Sequence, residues 1–313
     1  MLRSLLRRPG PMLLLPIALG MQGCFFTGVE STPPITSAEV RKAVPPVTRE
    51  DTLLARYGDA PLAEWRPGKR FLVTDPRIAL IFDISPEEGA ALDGKTILYR
   101  GSRESAGITG TGVTDLVFES PGAGREYLYR INRPEASLRS SGPLAVPFTL
   151  QPEVAVEVDK VLRGKRFYIL SAVWRDDDDT PVKGRKFVAV RVDSVSPGNL
   201  LFPLKVSFTD DRGTEGRIFM HPGAKDTAPR TFPDLFSLSD PRLKYPTIID
   251  EHWELITLGR VEPGMSTLEC RLALGAPKEV ISGHNGSFLR DVWSYDSGRY
   301  VSFEDGLLPG NRN

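Results

Sequence analysis

Pro67-Gly68-Lys69-Arg70-Phe71 recurs 96 residues on as Arg163-Gly164-Lys165-Arg166-Phe167, and each copy opens an apolar run, Leu72 to Phe82 in the first and Tyr168 to Trp174 in the second. Downstream, Asp93-Gly94-Lys95 answers to Lys183-Gly184-Arg185, again ahead of a strand-like run. A third pair is Leu116-Val117-Phe118 and Lys205-Val206-Phe208; each is followed by a glycine turn and a further run, Tyr127 to Ile131 and Gly216 to Met220. Three markers in one order at nearly one offset read as a duplication. Chance recurrence among Gly-Lys turns is the competing reading.

Each copy reads as an antiparallel unit of about five short strands. Phe187 to Val192 is rich in β-branched and aromatic residues, and Leu204-Lys205-Val206-Ser207-Phe208 alternates as a half-buried strand does. Asp210-Asp211-Arg212-Gly213 supplies hairpin chemistry after it. Short strands at regular spacing point to a barrel or a sandwich, and the size suits an SH3-like barrel. No motif selects barrel over sandwich.

The end of the chain reads differently. Within Gly264 to Pro277, Ser266 is an N-cap and Glu269, three residues on, completes a capping box. Leu268, Cys270, Leu272 and Leu274 form an apolar face; Gly275 and Pro277 stop the helix. Two strands are expected at Val292 to Tyr295 and Tyr300 to Phe303, with Trp293, Tyr295, Val301 and Phe303 on the packed face.

Gly264-Met265-Ser266, Leu274-Gly275-Ala276-Pro277, Trp293-Ser294-Tyr295 and Val301-Ser302-Phe303-Glu304-Asp305-Gly306 together resemble the signature of the SmpA/OmlA (BamE-like) domain. The resemblance covers about a fifth of the chain. It implies an α-α-β-β-β fold, with a first helix at about Glu251 to Leu258, and an association with outer-membrane assembly. Ser266 stands where the family has threonine and keeps the capping oxygen. Only Leu307 and Leu308 follow Gly306 before Pro309-Gly310, so the third strand is expected to be very short or missing, leaving a sheet edge open to a partner strand. Cys270, where the family tends to carry an aliphatic residue, is expected in the core.

The start of the chain supplies the address. Arg3, Arg7 and Arg8 precede an apolar run, Met12 to Met21, that leads through Gln22-Gly23 to Cys24. This is the layout of an export signal, and the run is about half of the ~20 residues a spanning helix needs. Met21-Gln22-Gly23-Cys24 also resembles the lipobox of bacterial lipoproteins, which implies a cut before Cys24 and its acylation; an ordinary signal peptide cut nearby is the alternative. Several acyl chains hold a protein at a membrane where one does not. From Phe25 to about Ala60, Pro33-Pro34 and Pro45-Pro46 punctuate a spacer in which Ser37 to Ala43 and Arg49 to Tyr57 are candidate short helices, Thr48 and Asp51 forming a capping pair for the second.

Composition narrows the function. The signal carries three of the 40 basic residues and none of the 40 acidic ones, so the mature chain sits near −3 and gives no global reason to bind nucleic acid. With Cys24 acylated, Cys270 has no disulfide partner. His221, His252 and His284 fall in no metal-ligand spacing, and Asp176 to Asp179 lacks the alternating ligands and glycine of a Ca²⁺ loop, reading instead as a hairpin tip. Gly107 to Gly112 is glycine-rich outside any strand-to-helix context, and Lys69-Arg70 and Lys165-Arg166 read as ordinary surface. Gly-x-Ser-x-Gly, Walker and dinucleotide motifs are absent.

The expectation is therefore an α+β, mostly β chain: residues 1–23 a lipoprotein signal peptide, 24–60 a lipid-anchored tether, 61–140 and 141–249 two tandem SH3-like modules, and 250–308 the BamE-like domain. Functionally it is read as a non-enzymatic cell-envelope lipoprotein, anchored through Cys24 to the outer membrane with a periplasmic body. It acts as a structural or adaptor protein on envelope protein partners, with no catalytic, metal or cofactor residues. The alternative is a lipoprotein that binds peptidoglycan through the SH3-like repeats. An enzyme inhibitor, or an enzyme using carboxylates not assigned above, is a more remote reading.

Overall fold

The computed structural model describes residues 46–106, 112–122, 124–285 and 288–310. The chain divides into Met1–Pro46 and Val47–Asn313. The signal, Cys24 and the Ser37 to Ala43 helix lie outside the described residues, as does most of the Gly107 to Gly112 loop. The described fold is α+β and mostly β, with curled antiparallel sheets forming half-barrels and few helices.

The chain enters on a one-turn helix, α1 (Arg49–Thr52), whose Thr48 and Asp51 form the expected capping box. This stretch is more than spacer. Leu54 is fully buried in the core of the second sheet, Leu53 and Tyr57 pack beside it, and the Gly223 N–H donates to the Leu54 carbonyl.

The first sheet contains β1 (Arg70–Val73), β2 (Thr96–Ala106), β3 (Gly112–Glu119), β4 (Glu126–Ile131) and β5 (Thr149–Leu150), in the order β4-β3-β2-β1-β5. Between β1 and β2 run the short helices α2 (Ala79–Phe82) and α3 (Pro86–Leu92); α4 (Glu135–Arg139) precedes β5. Because β5 pairs with β1 through Leu72 and Leu150, the first sheet runs past residue 140, where the sequence placed its end. A two-residue strand shows no alternation to read. Phe71, Ile97, Leu116 and Phe118 centre its core.

Helix α5 (Pro152–Leu162), with proline in its first turn, buries Ala155, Val158 and Leu162 against the second sheet. That spacing makes one helical stripe. The sequence reading had no helix here. The second sheet holds β6 (Arg166–Ile169), β7 (Val173–Arg175), β8 (Pro181–Lys183), β9 (Val188–Pro197), β10 (Leu204–Asp210), β11 (Glu215–Met220) and β12 (Phe236–Ser237), with α6 (Phe232–Leu235) before the last. Its order is β12-β6-β9-β10-β11-β7-β8.

Read from the other edge, the first sheet is β5-β1-β2-β3-β4, the same path as β12-β6-β9-β10-β11 with the β7–β8 hairpin added. The repeated Gly-Lys-Arg-Phe stretch plays one backbone role in both. Gly68 and Gly164 take positive φ and donate to the carbonyls of Tyr99 and Val192, whose own N–H groups return to Lys69 and Lys165. The register of β2 against β3 shifts after Tyr99, and that of β9 against β10 shifts after Val192. One bulge thus sits at one place in both copies. Sequence repeat, strand order and bulge agree, as a duplication requires.

The second marker pair is three residues out of step. The residue matching Gly94 is Phe187: Gly94 donates to Val73 and Phe187 to Ile169, the last residues of β1 and β6. Gly184 serves another purpose. A methyl group there would fall inside the indole of Trp174, and one on Gly216 would lie 2.8 Å from the same ring. Trp174 therefore sits between two glycines, edge-on to Phe208.

After a 3₁₀ turn at Pro241–Lys244 come α7 (Asp250–Thr257), α8 (Thr267–Leu274) and a three-stranded sheet, β13 (Glu279–Asn285), β14 (Phe288–Ser294) and β15 (Tyr300–Glu304), in the order β13-β14-β15. Ser266 and Glu269 form the expected capping box of α8, and Gly275 follows its last turn. Trp253, Ile256, Met265, Cys270, Trp293, Val301 and Phe303 make one core. The third strand precedes Trp293 as β13, while Leu307 makes only isolated bridges to Ser266 and Glu304. Polar residues, Ser282 to Asn285, interrupt the apolar signal of β13.

Candidate binding clefts beside the β7–β8 hairpin

The second sheet and the C-terminal elements are joined through the turn before β9. Phe187 takes φ +57°, a conformation costly for an aromatic residue, and its ring lies edge-on to Trp253 of α7, 6.1 Å between centroids. Beside it, the Lys186 main-chain N–H donates to the Thr257 carbonyl at 3.1 Å, and Arg212 pairs with Glu254 at 2.9 Å. Strand β8 ends the sheet and forms a wall shared by two clefts.

The first cleft, about 550 Å³, has Trp174 at its base and Val182, Lys183, Arg185, Asp210, Leu258 and Arg260 around it. Its one buried carboxylate, Asp210, is fully partnered. The Arg185 guanidinium donates to Asp210 at 2.7 Å and to Asp211, while the other Asp210 oxygen accepts the N–H groups of Arg212 and Thr214. Burial alone would push the Asp210 carboxyl up, but the hydrogen bonds from Arg185, Thr214 and Arg212 hold it below the usual carboxylate range. A carboxylate so held is a structural anion and a poor proton acceptor.

The second cleft, about 570 Å³, lies between β8 and the C-terminal end of α8. Leu170, Val173, Val182, Ala273 and Leu274 give it apolar walls, and Lys183 and Lys186 are its only ionisable groups. Neither lysine has an ion-pair partner among the described residues. Burial, with the charge of Lys183 adding to it, brings the Lys186 ammonium down to about 8. The Lys186 Nζ lies 5.4 Å from the centre of the Phe187 ring. The trace of this site in the sequence is the basic run Lys183-Gly184-Arg185-Lys186, whose first three residues read as a turn marker of the repeat.

The other singled-out residues are dispersed. Asp176 accepts the N–H groups of Asp178 and Thr180, which makes Asp176 to Asp179 the expected hairpin tip, tied down by Lys205–Asp179 and Arg217–Asp177 pairs. Among the described residues no group of three His, Cys, Asp or Glu side chains is placed to hold a metal ion. His221 contacts the neighbouring Pro222 carbonyl, and His284 lies on exposed β13. Lys69 and Arg166 lie over Phe71 and Tyr168, and Arg70 pairs with Glu153. Cys270 is fully buried, and burial with the adjacent Glu269 pushes its thiol up to about 11. It is an unreactive core thiol.

One cluster went unseen in the sequence. Glu269 Oε2 accepts from the main chain and hydroxyl of Ser266, both at 2.7 Å, while Oε1 meets Nδ1 of His252 on α7 at 2.6 Å. Burial would raise the Glu269 carboxyl; the Ser266 and His252 hydrogen bonds outweigh it and hold the group low. The capping box was legible locally, whereas its third partner comes from another helix. The carboxylate stands between serine and histidine, so no serine–histidine nucleophile pair is formed here.

Comparison with protein-family models, with curated proteins and with solved structures found no match for this chain.

Proposed function

We propose that this chain is a lipid-anchored adaptor of the bacterial cell envelope, fixed to the outer membrane through an acylated Cys24 and presenting its body to protein partners in the periplasm. The two half-barrels are taken as duplicated SH3-like modules and the C-terminal elements as a BamE-like α-α-β-β-β domain. In support of the latter, the residues of the resemblance converge: Met265, Trp293, Val301 and Phe303 share one core, with Trp293 and Phe303 rings 4.6 Å apart. Its role is binding rather than catalysis. Fold similarity alone does not assign that role.

The observation that carries the reading is the cleft at β8. Two cations without ion-pair partners among the described residues line an apolar groove on a body whose buried carboxylates, Asp115, Asp210 and Glu269, are satisfied internally. Unspent charge beside apolar surface is what a binding site offers.

Crosslinking in living cells followed by mass spectrometry, with a Cys24→Ala form in parallel, tests the proposal. Specific envelope partners that are lost in Cys24→Ala support it, and an unchanged partner set in the soluble form contradicts it. Specific retention of purified protein on peptidoglycan sacculi would replace the protein-partner reading with cell-wall binding.

A further inference from the structure

We propose that the groove between β8 and the end of α8 captures the free C-terminus of an extended apolar peptide, its carboxylate held by Lys183 and Lys186 and its last side chains laid on Val173, Val182 and Leu274. The inference rests on the adaptor reading and names the partner's chemistry. The volume, about 570 Å³, lies within the ~300–1,000 Å³ of small-ligand clefts, which suits a few residues rather than a folded surface.

The argument for an anion is charge complementarity. Lys186 is half-buried, the only charged neighbour in the groove is the like-charged Lys183, and no carboxylate lines it. The C-terminal carbonyls of α7 and α8 bring partial negative charge only, near half a unit each and screened at the surface. A carboxylate between the two ammonium groups supplies what the fold withholds. Val173, 58% exposed and on the same face of the ribbon as Lys183, gives the groove an apolar surface left open among the described residues.

The argument for a peptide is the strand beside the groove. β8 ends the seven-stranded sheet, so its outer backbone groups have no strand partner among the described residues. Asp176 N–H bonds to Thr180 and Gly184 N–H to Ala172, which fixes the inward-facing residues of β8 and turns the N–H and C=O of Lys183 outward. Main-chain pairing at a free edge with a carboxylate caught at its end is a known mode of peptide recognition.

The test is a binding titration on the full-chain protein in detergent. The probes are fluorescein-labelled pentapeptides ending in Val, Leu, Ile or Phe, each as the free acid and as the C-terminal amide, with dodecanoate as a non-peptide carboxylate. The expected result is that at least one free acid binds ten-fold or more tightly than its amide. The Lys183→Gln/Lys186→Gln double variant should remove that preference without lowering its urea midpoint. Equal binding of acid and amide, binding of dodecanoate but no peptide, or an unchanged preference in the double variant overturns the proposal. If the double variant fails to fold, Lys183→Gln and the acid-against-amide comparison on the unaltered protein decide it. The titration does not depend on the anchor, so a negative result removes peptide capture alone, and an unacylated Cys24 removes the envelope reading alone.

Discussion

Gly94 and Phe187 hold the same position in two successive sheets, each with positive φ and each donating its N–H to the last carbonyl of the strand before. In the first sheet glycine adopts this turn without strain. In the second an aromatic residue does, and its ring reaches Trp253. Strain at the turn is offset by packing across the seam. Phe187→Ala and Phe187→Gly both lose the ring, but only alanine keeps the left-handed penalty. Urea unfolding should therefore find both variants destabilised, with alanine worse by about 1–2 kcal/mol. Equal stability would show that the turn stores no strain.

Gly184→Ala should be severely destabilising, about 3 kcal/mol or more, because the new methyl group has no space beside Trp174 and the indole is packed on its other side by Gly216. Thermal melting measures it. Restored stability on combining Gly184→Ala with Trp174→Leu would identify the indole as the obstacle, whereas a mild effect of the single change would refute the packing argument.

Much of this fold was legible in short-range chemistry. Thr48 with Asp51 and Ser266 with Glu269 marked helix starts, and Leu204 to Phe208 alternated as its burial does. What escaped depended on distance along the chain. β5 and β12 are two residues each and exist because β1 and β6 offer edges. Glycine content drew attention to Gly184, although the backbone position that repeats belongs to Phe187. The candidate groove was hidden for the same reason: Lys186, Val182 and Leu274 are brought together by packing alone.

Glu269 ties α7 to α8, and its low-lying carboxyl gives stability that is complete above the unfolded value, about 4.3, and lost as pH falls through the lower folded value. Glu269→Gln should cost about 1–3 kcal/mol at pH 7. Urea midpoints at pH 7 and pH 3 should show a smaller acid-induced loss in Glu269→Gln than in the unaltered chain. Parallel losses would mean that other carboxylates govern the response.

Lys186 works in the opposite sense. Its ammonium titrates at about 8 when folded and about 10.4 when unfolded, so the unfolded chain holds the extra proton between these values and stability rises with pH across that window. Lys186→Met should flatten that rise and, allowing for solvent screening, stabilise the protein at pH 7 by about 1 kcal/mol. Denaturant unfolding from pH 7 to pH 10 checks both. A destabilised Lys186→Met would show that the charge has a partner in the fold.

The whole account turns on where the mature chain begins. Intact-mass and N-terminal peptide mass spectrometry of the protein recovered from its host membranes should find Cys24 as the first residue, carrying acyl chains. A first residue upstream of Cys24, or a Cys24 thiol free of lipid, would contradict the envelope-anchored adaptor at its root.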